Sequence, residues 1–249
     1  VLQTLAGKPL LEHLLETVNI LSPRRVHVVV GQGAEEVKAA FADRTDIKWV
    51  YQAERKGTGH AMKQAAPGID PDSRVLILLG DAPLVKKTTL DELTSLDSDL
   101  TVLTVDMEEP YNYGRILRQD DRVLEIIEER DANSQQRSIK EINSGVMIAD
   151  GRKLVSWLEQ LTDDNAQKEF LLTDIVRHAN SEGSIVKAYK TDDPLEVTGI
   201  NTFLQLARLE RALQETTAQQ LMDQGVQLMD PTRIDVRGSL LVGRGVFID

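Results

Sequence analysis

The sequence predicts an α/β domain with a mixed sheet. Two observations carry this. Through the first hundred residues, short β-branched or apolar runs alternate with amphipathic stretches of helical length, the pattern of parallel strands joined by crossover helices. From about residue 111 to 149, three strand-like runs follow one another without an intervening helix, which predicts an antiparallel extension over one end of the sheet.

The elements follow in order. Leu10, Leu14, Leu15 and Val18 recur at helical spacing, so Pro9 to Leu21 reads as a helix with proline in its first turn. Arg25–Val30 is a β-branched run closed by Gly31 and Gly33. Glu35–Phe41 is helical, Ile47–Tyr51 a strand, and Gly59–Ala66 a helix starting just after Gly57 and Thr58. Arg74–Leu79 is almost wholly apolar, as expected of a strand covered on both faces. Thr88–Leu96 is a helix and Leu100–Val105 a strand. Gly114–Leu117, Val123–Glu128 and Gly145–Ile148 are the three consecutive strands. Lys153–Leu161 and Glu169–Ala179 return to helix, and Ile185–Ala188 and Val197–Ile200 are short strands. Thr202–Met222 is a long helix ended by Gly225. Residues 233–249 carry apolar pairs split by glycines and charges, which fits a loose hairpin or the first coil of a β-solenoid.

Composition narrows the function. The formal net charge of -11 excludes a broad nucleic-acid or anionic-membrane surface, yet allows a small phosphate site built from backbone amides. Cysteine is absent, which rules out disulfides and thiolate metal sites and fits a cytoplasmic setting. No apolar run approaches the ~20 residues that span a bilayer, and no signal peptide is visible. The chain opens on Val1, directly into a loop and helix, and stops in mid-pattern at GSLLVGRGVFID. Both ends are expected to lie inside a longer chain.

In open α/β sheets ligands bind beyond the carboxyl ends of the strands. Asp81 follows the apolar strand 74–79, with Gly80 giving the backbone room to turn, and offers a hard oxygen ligand suited to magnesium held with substrate phosphates. The plain alternative is a turn cap before Pro83. Gly57 and Thr58 precede a helix whose first amides face the same cleft, and Gln52 can read a base edge. Thr58 is equally explained as a helix N-cap. His60 reads as structural. In PYNYGRI, Asn112 tolerates a left-handed backbone and Gly114 lets a ligand approach, as an ordinary turn also would. Glu128 can accept sugar hydroxyls or merely be solvated, and Asn143 begins a strand and could serve either purpose. Asn201 is a neutral oxygen ligand or the N-cap of the long helix. Glu169 and Asp174 read as helix-start charges. No Ser/His/Asp or paired-carboxylate hydrolase set is present. A metal, positioning and charge neutralisation suffice for phosphoryl-type chemistry.

The ordered set LAGKPL, QAERKGTGHAM, GDAPL, YGRI, EINSGVMIA, LLTDI and EVTGIN, closed by DPTRIDVRG, resembles the bacterial bifunctional N-acetylglucosamine-1-phosphate uridylyltransferase/glucosamine-1-phosphate acetyltransferases. The likeness runs in register from Val1 to Asp249. It implies a Rossmann-like nucleotide-diphospho-sugar transferase fold over residues 1–226, then a linker and the start of a left-handed β-helix over 227–249. The implied reaction joins UTP and N-acetylglucosamine 1-phosphate to give UDP-N-acetylglucosamine and pyrophosphate, for cell-envelope precursors such as peptidoglycan and lipopolysaccharide.

By likeness Asp81 and Asn201 bind Mg2+. Gln52, Gly57 and Thr58 contact uracil and ribose, with Gly80 lining the substrate site. Gly114, Glu128 and Asn143 hold the N-acetylglucosamine portion, and Thr173 helps close that side. The family's trimer forms through the β-helix. Its signature loop, of the form LAAGxGTxMxSxxPK, belongs before Val1 together with the sheet's central strand, so these 249 residues alone are expected to show little turnover. Asn112 stands where glycine is common, Ser144 replaces threonine, and Thr198, Thr202 and Phe203 depart from the pattern around Asn201. The alternatives are a transferase for another sugar 1-phosphate or base, and an inactive nucleotide-sugar-binding fragment.

Overall fold

The computed structural model describes residues 1–249. A short hairpin, β1 (Thr4–Leu5) and β2 (Lys8–Pro9), leads into α1 (Leu10–Ile20). Of the residues expected at helical spacing, Leu10, Leu14 and Leu15 are buried together with Leu11, and Val18 is half-buried. Then come β3 (Val26–Val30), α2 (Ala34–Ala40) and β4 (Ile47–Tyr51). β3 and β4 pair in parallel, with Val26 beside Ile47 and Val30 beside Tyr51. After α3 (Thr58–Ala65) and a 3-10 turn at Ala66–Gly68, β5 (Arg74–Ile77) opens the larger sheet.

That sheet has six strands. α4 (Lys87–Ser95) precedes β6 (Leu100–Asp106), and β7 (Arg115–Gln119) and β8 (Arg122–Ile127) form a hairpin. The one-turn helix α5 (Ser134–Arg137) leads to the ten-residue β9 (Glu141–Asp150). α6 (Gly151–Gln160), α7 (Ile175–Ser181) and β10 (Val186–Thr191) follow. The order is β10-β6-β9-β7-β8, with β5 also paired to β9. β10 is parallel to β6, whereas β9 runs antiparallel to both β5 and β6.

Here the structure corrects the expected layout. The 111–149 region is not only an extension over one end, because β9 is driven between β5 and β6. Its side chains explain why. Met147 and Ala149 face one core with Leu100, Val102, Trp157 and Ile175. Val146 and Ile148 face the other core with Leu90, Leu93, Leu103 and Val105. Successive strand residues point to opposite faces, so the continuous apolar run Val146–Ala149 needs cover on both. α6 and α7 cover one face, and α4 with part of α1 the other. No ladder joins this sheet to the β3/β4 pair.

Three local expectations also change. The helix expected from Glu169 begins later, as a 3-10 turn at Leu172–Asp174 followed by α7. Residues before it are drawn out as a strap, because Phe170 pairs through its N–H with Lys56 O and through its O with Gly59 N, both at 2.8 Å. The strand expected at Val197–Ile200 is instead a 3-10 turn, Pro194–Val197, followed by extended chain. Proline has no N–H for a ladder and suits the first turn of a helix. α8 (Phe203–Asp223) is capped by Thr202, not Asn201: the Thr202 hydroxyl accepts from Gln205 N, and the Gln205 side chain returns to the cap. At the end of the chain, β11 (Gln227–Leu228) pairs in parallel with β12 (Phe247–Ile248), which excludes the simple hairpin. No helix is long and apolar enough to cross a membrane.

Candidate active site

The loops after β5 and before α8 bring Asp81 and Asn201 together. Ile200 N donates to Asp81 O at 2.9 Å, tying the two loops by their backbones. Gly199 keeps the space between the two side chains open. A Cβ built there would stand 3.4 Å from Asp81 Oδ2 and 3.9 Å from Asn201 Nδ2. A half-turn of the Asn201 amide presents Oδ1 to the same space. Since Thr202 caps α8, Asn201 is free of the capping role that would otherwise explain it. Burial pushes the Asp81 carboxyl up, partly offset by a backbone hydrogen bond. A carboxylate raised by burial without a side-chain cation beside it is suited to receive one. Nowhere does the chain gather three or more His, Cys, Asp or Glu into a metal cage. One carboxylate and one amide fit a Mg2+ ion that keeps its waters and leans on substrate phosphates.

Beside this pair lies a second group. Gly114, Glu128, Asn143 and Thr173 come from four different segments. Asn143 N donates to Gly114 O at 2.9 Å, and the Thr173 hydroxyl donates to Glu128 Oε1 at 2.9 Å. A Cβ on Gly114 would meet Ile126 Cγ2 at 2.8 Å and Glu128 Oε1 at 3.5 Å. Asn143 is aimed by a bulge in β9. Between the pairs Val102–Met147 and Thr104–Asn143, residues 144–146 stand against Leu103 alone. Ser144 closes the gap, its hydroxyl donating to Leu103 O at 2.7 Å and accepting from Val146 N. Burial pushes the Glu128 carboxyl up; the Thr173 hydroxyl opposes this, and Asp174 and Asp131 add to it. Tyr113 joins the two groups. Its phenol is also pushed up by burial, it contacts the Gly199 backbone, and it feels Asp81.

The third group is Gln52, Gly57 and Thr58. Gln52 Nε2 donates to Gly57 O at 3.2 Å and stands 2.9 Å from His60 Nδ1, which fixes the amide and leaves its oxygen for a ligand. His60 is thereby structural, as expected. Thr58 is not the N-cap: Gly57 is, and Thr58 opens the helix with its hydroxyl accepting from Leu172 N at 3.1 Å. The amides at this helix start are not all free, because Gly59 N is taken by Phe170 O. Gly57 has φ 98°, and a Cβ would meet Phe170 O at 2.5 Å. Gly57→Ala is expected to lower stability by about 2 kcal/mol, read by thermal denaturation; an unchanged melting temperature would contradict the close approach.

Gly80 N-terminal to Asp81 lies against Val1, whose Cγ1 a Cβ would approach to 3.1 Å. The ten candidate residues fall into three groups, the second linked to the first through Tyr113 and to the third through the bond from Leu172 N to the Thr58 hydroxyl. Gly199, Tyr113 and the Glu169–Phe170 strap were not singled out in the sequence. The signal for Gly199 was its place beside Asn201 in TGIN; the strap carries no local signal.

The geometry finds its counterpart among known proteins. The model of the MobA-like NTP transferase domain matches residues 1–228. The bifunctional protein GlmU of Idiomarina loihiensis is 47% identical over 252 residues, covering 100% of this chain and 55% of GlmU. The chain thus spans about half the length of that curated relative. Two solved structures share the fold. A Bacillus anthracis protein assigned as a glucose-1-phosphate thymidylyltransferase, in complex with sucrose, has a TM-score of 0.65 at 17% identity, over 85% of each chain. A UDP-glucose pyrophosphorylase complexed with UDP-glucose has a TM-score of 0.67 at 15% identity, over 86% of this chain and 90% of its own. By its family match over residues 1–228 and its likeness to GlmU along the whole of these 249 residues, the chain belongs to the MobA-like NTP transferase domain family.

Proposed function

We propose that this domain serves uridylyl transfer from UTP to N-acetylglucosamine 1-phosphate in the full-length protein, yielding UDP-N-acetylglucosamine and pyrophosphate. The observation that carries the reading is the convergence of Asp81 and Asn201 around Gly199, with Tyr113 linking them to the Glu128–Asn143 group. The likeness to bifunctional GlmU supports this pair of substrates.

In this account Gln52, Gly57 and Thr58 hold uracil and ribose, and Gly80 lines the path to the phosphates. Gly114 admits the sugar against its bare backbone. Glu128 and Asn143 hold the sugar by hydrogen bonds, and Thr173 fixes the Glu128 carboxylate. Asp81 and Asn201 hold Mg2+, which when bound supplies charge neutralisation for the reacting phosphates. An oxygen of the sugar phosphate forms the new bond to the UTP α-phosphorus while the bond to pyrophosphate breaks. No protein nucleophile takes part.

Residues 227–249 fit the first coil of a β-solenoid, since Gln227 stands beside Phe247 in a parallel pairing. On this reading the full-length protein continues into an acetyltransferase, forms a trimer through that part and works in the cytoplasm.

The full-length protein, supplied with UTP, Mg2+ and N-acetylglucosamine 1-phosphate, is expected to release pyrophosphate, with UTP preferred over dTTP in competition. Absence of pyrophosphate, or preference for dTTP or another sugar phosphate, would overturn the assignment.

A further inference from the structure

Lys86 and Glu196 form a clamp across the two loops that carry Asp81 and Asn201. Glu196 is only 4% exposed, and both its oxygens meet Lys86. Oε2 accepts from the Lys86 backbone N–H at 3.1 Å, and Oε1 lies 3.2 Å from Lys86 Nζ. The Thr191 hydroxyl also donates to Oε1 at 3.4 Å. Lys86 Nζ donates in turn to Asp193 Oδ2 at 2.7 Å, while Asp193 Oδ1 accepts from Leu195 N and fixes the 3-10 turn. A buried carboxylate bound to both the main chain and the side chain of one residue is a rigid tie. It joins the loop after Asp81 to the turn before Asn201, as a second tie beside the Ile200–Asp81 backbone bond.

We propose that Glu196, with Lys86 as its partner, is a positioning residue that sets the spacing of Asp81 and Asn201 for a divalent cation. This deepens the metal assignment made above and rests on it. Neither clamp residue touches the space at Gly199, so its effect passes through the loops. Outer partners of metal ligands act in this way, by fixing ligand orientation rather than by contact with the ion.

The test is Mn2+ binding to the full-length protein with nucleotide sugar present, read by loss of the free-ion EPR signal, beside thermal denaturation. Glu196→Gln is expected to weaken Mn2+ binding about tenfold. Lys86→Met, at a half-exposed side chain, should weaken it about threefold while keeping the fold, and Lys86→Arg should remain within about twofold of the parent. Variants that lose melting temperature but keep Mn2+ affinity within twofold would overturn the proposal and leave a purely structural tie. Should Glu196→Gln not fold, Lys86→Met against Lys86→Arg decides alone. Asp81→Asn separates the two levels. If it abolishes Mn2+ binding while both clamp variants bind normally, only the clamp fails. If it leaves binding unchanged, the metal assignment fails with it.

Discussion

Asp81→Asn is expected to lower the turnover of the full-length protein at least about a thousandfold, while leaving the fold intact. The substitution keeps the shape of the side chain and removes its charge. A metal that neutralises transferring phosphates supplies several kcal/mol of transition-state stabilisation, and each 1.36 kcal/mol is a factor of ten in rate. Asp81 is the one carboxylate beside Gly199, so no neighbour replaces it. Burial already disfavours its charge, so the variant should melt no lower than the parent. Pyrophosphate release and thermal denaturation read the two halves. A variant keeping a tenth of the parent's turnover would remove Asp81 from the reaction. Asn201→Ala should cost less, because a neutral ligand contributes less charge.

Glu128→Gln is expected to move stability and activity in opposite directions. The glutamine keeps an oxygen for the Thr173 hydroxyl but not the charge that strengthens bonds to sugar hydroxyls. Hydrogen bonds to charged groups contribute about 1.5–3 kcal/mol, so kcat/KM for the sugar phosphate should fall roughly ten- to a hundredfold. Stability should rise, because burial, Asp174 and Asp131 all disfavour the ionised carboxylate despite the Thr173 bond. A carboxyl raised in the folded state binds more protons there than when unfolded. The parent therefore loses stability as pH climbs from the ordinary value near 4.5 through the raised one. The advantage of the variant should be full above that window and vanish below it. Equal melting temperatures for the two proteins across the window, or an unchanged sugar dependence, would contradict the placement of Glu128.

Part of the candidate site left a local pattern in the sequence. Asp81 follows an apolar strand and a glycine, which fits a ligand at the mouth of the sheet or a turn cap before Pro83. The pairing of Asp81 with Asn201 came from the ordered motifs, and the fold supplies its physical reason in the backbone bond from Ile200 and the bare Gly199. The ambiguity at Asn201 was resolvable in sequence. Thr202 and Gln205 have capping-box spacing, which assigns the cap to Thr202.

Other features had no local signal. β9 is apolar at four successive positions, Val146 to Ala149, which says that part is covered twice but not which strands flank it. Only pairing with β5 and β6, from distant parts of the chain, decides that. The bulge that aims Asn143 depends on the same partner strand. The strap at Phe170 depends on Lys56 and Gly59, and the Lys86–Glu196 tie joins residues 110 positions apart. Periodicity within a short window carries no information about such contacts.

The most direct measurement is the anomalous scattering of Mn2+ in crystals of the full-length protein grown with UDP-N-acetylglucosamine. The account predicts a peak between the Asp81 carboxylate and the Asn201 amide oxygen, in the space that Gly199 leaves open, with the sugar against Glu128 and Asn143. A peak elsewhere, with Asp81 and Asn201 bound only to protein or water, would contradict it.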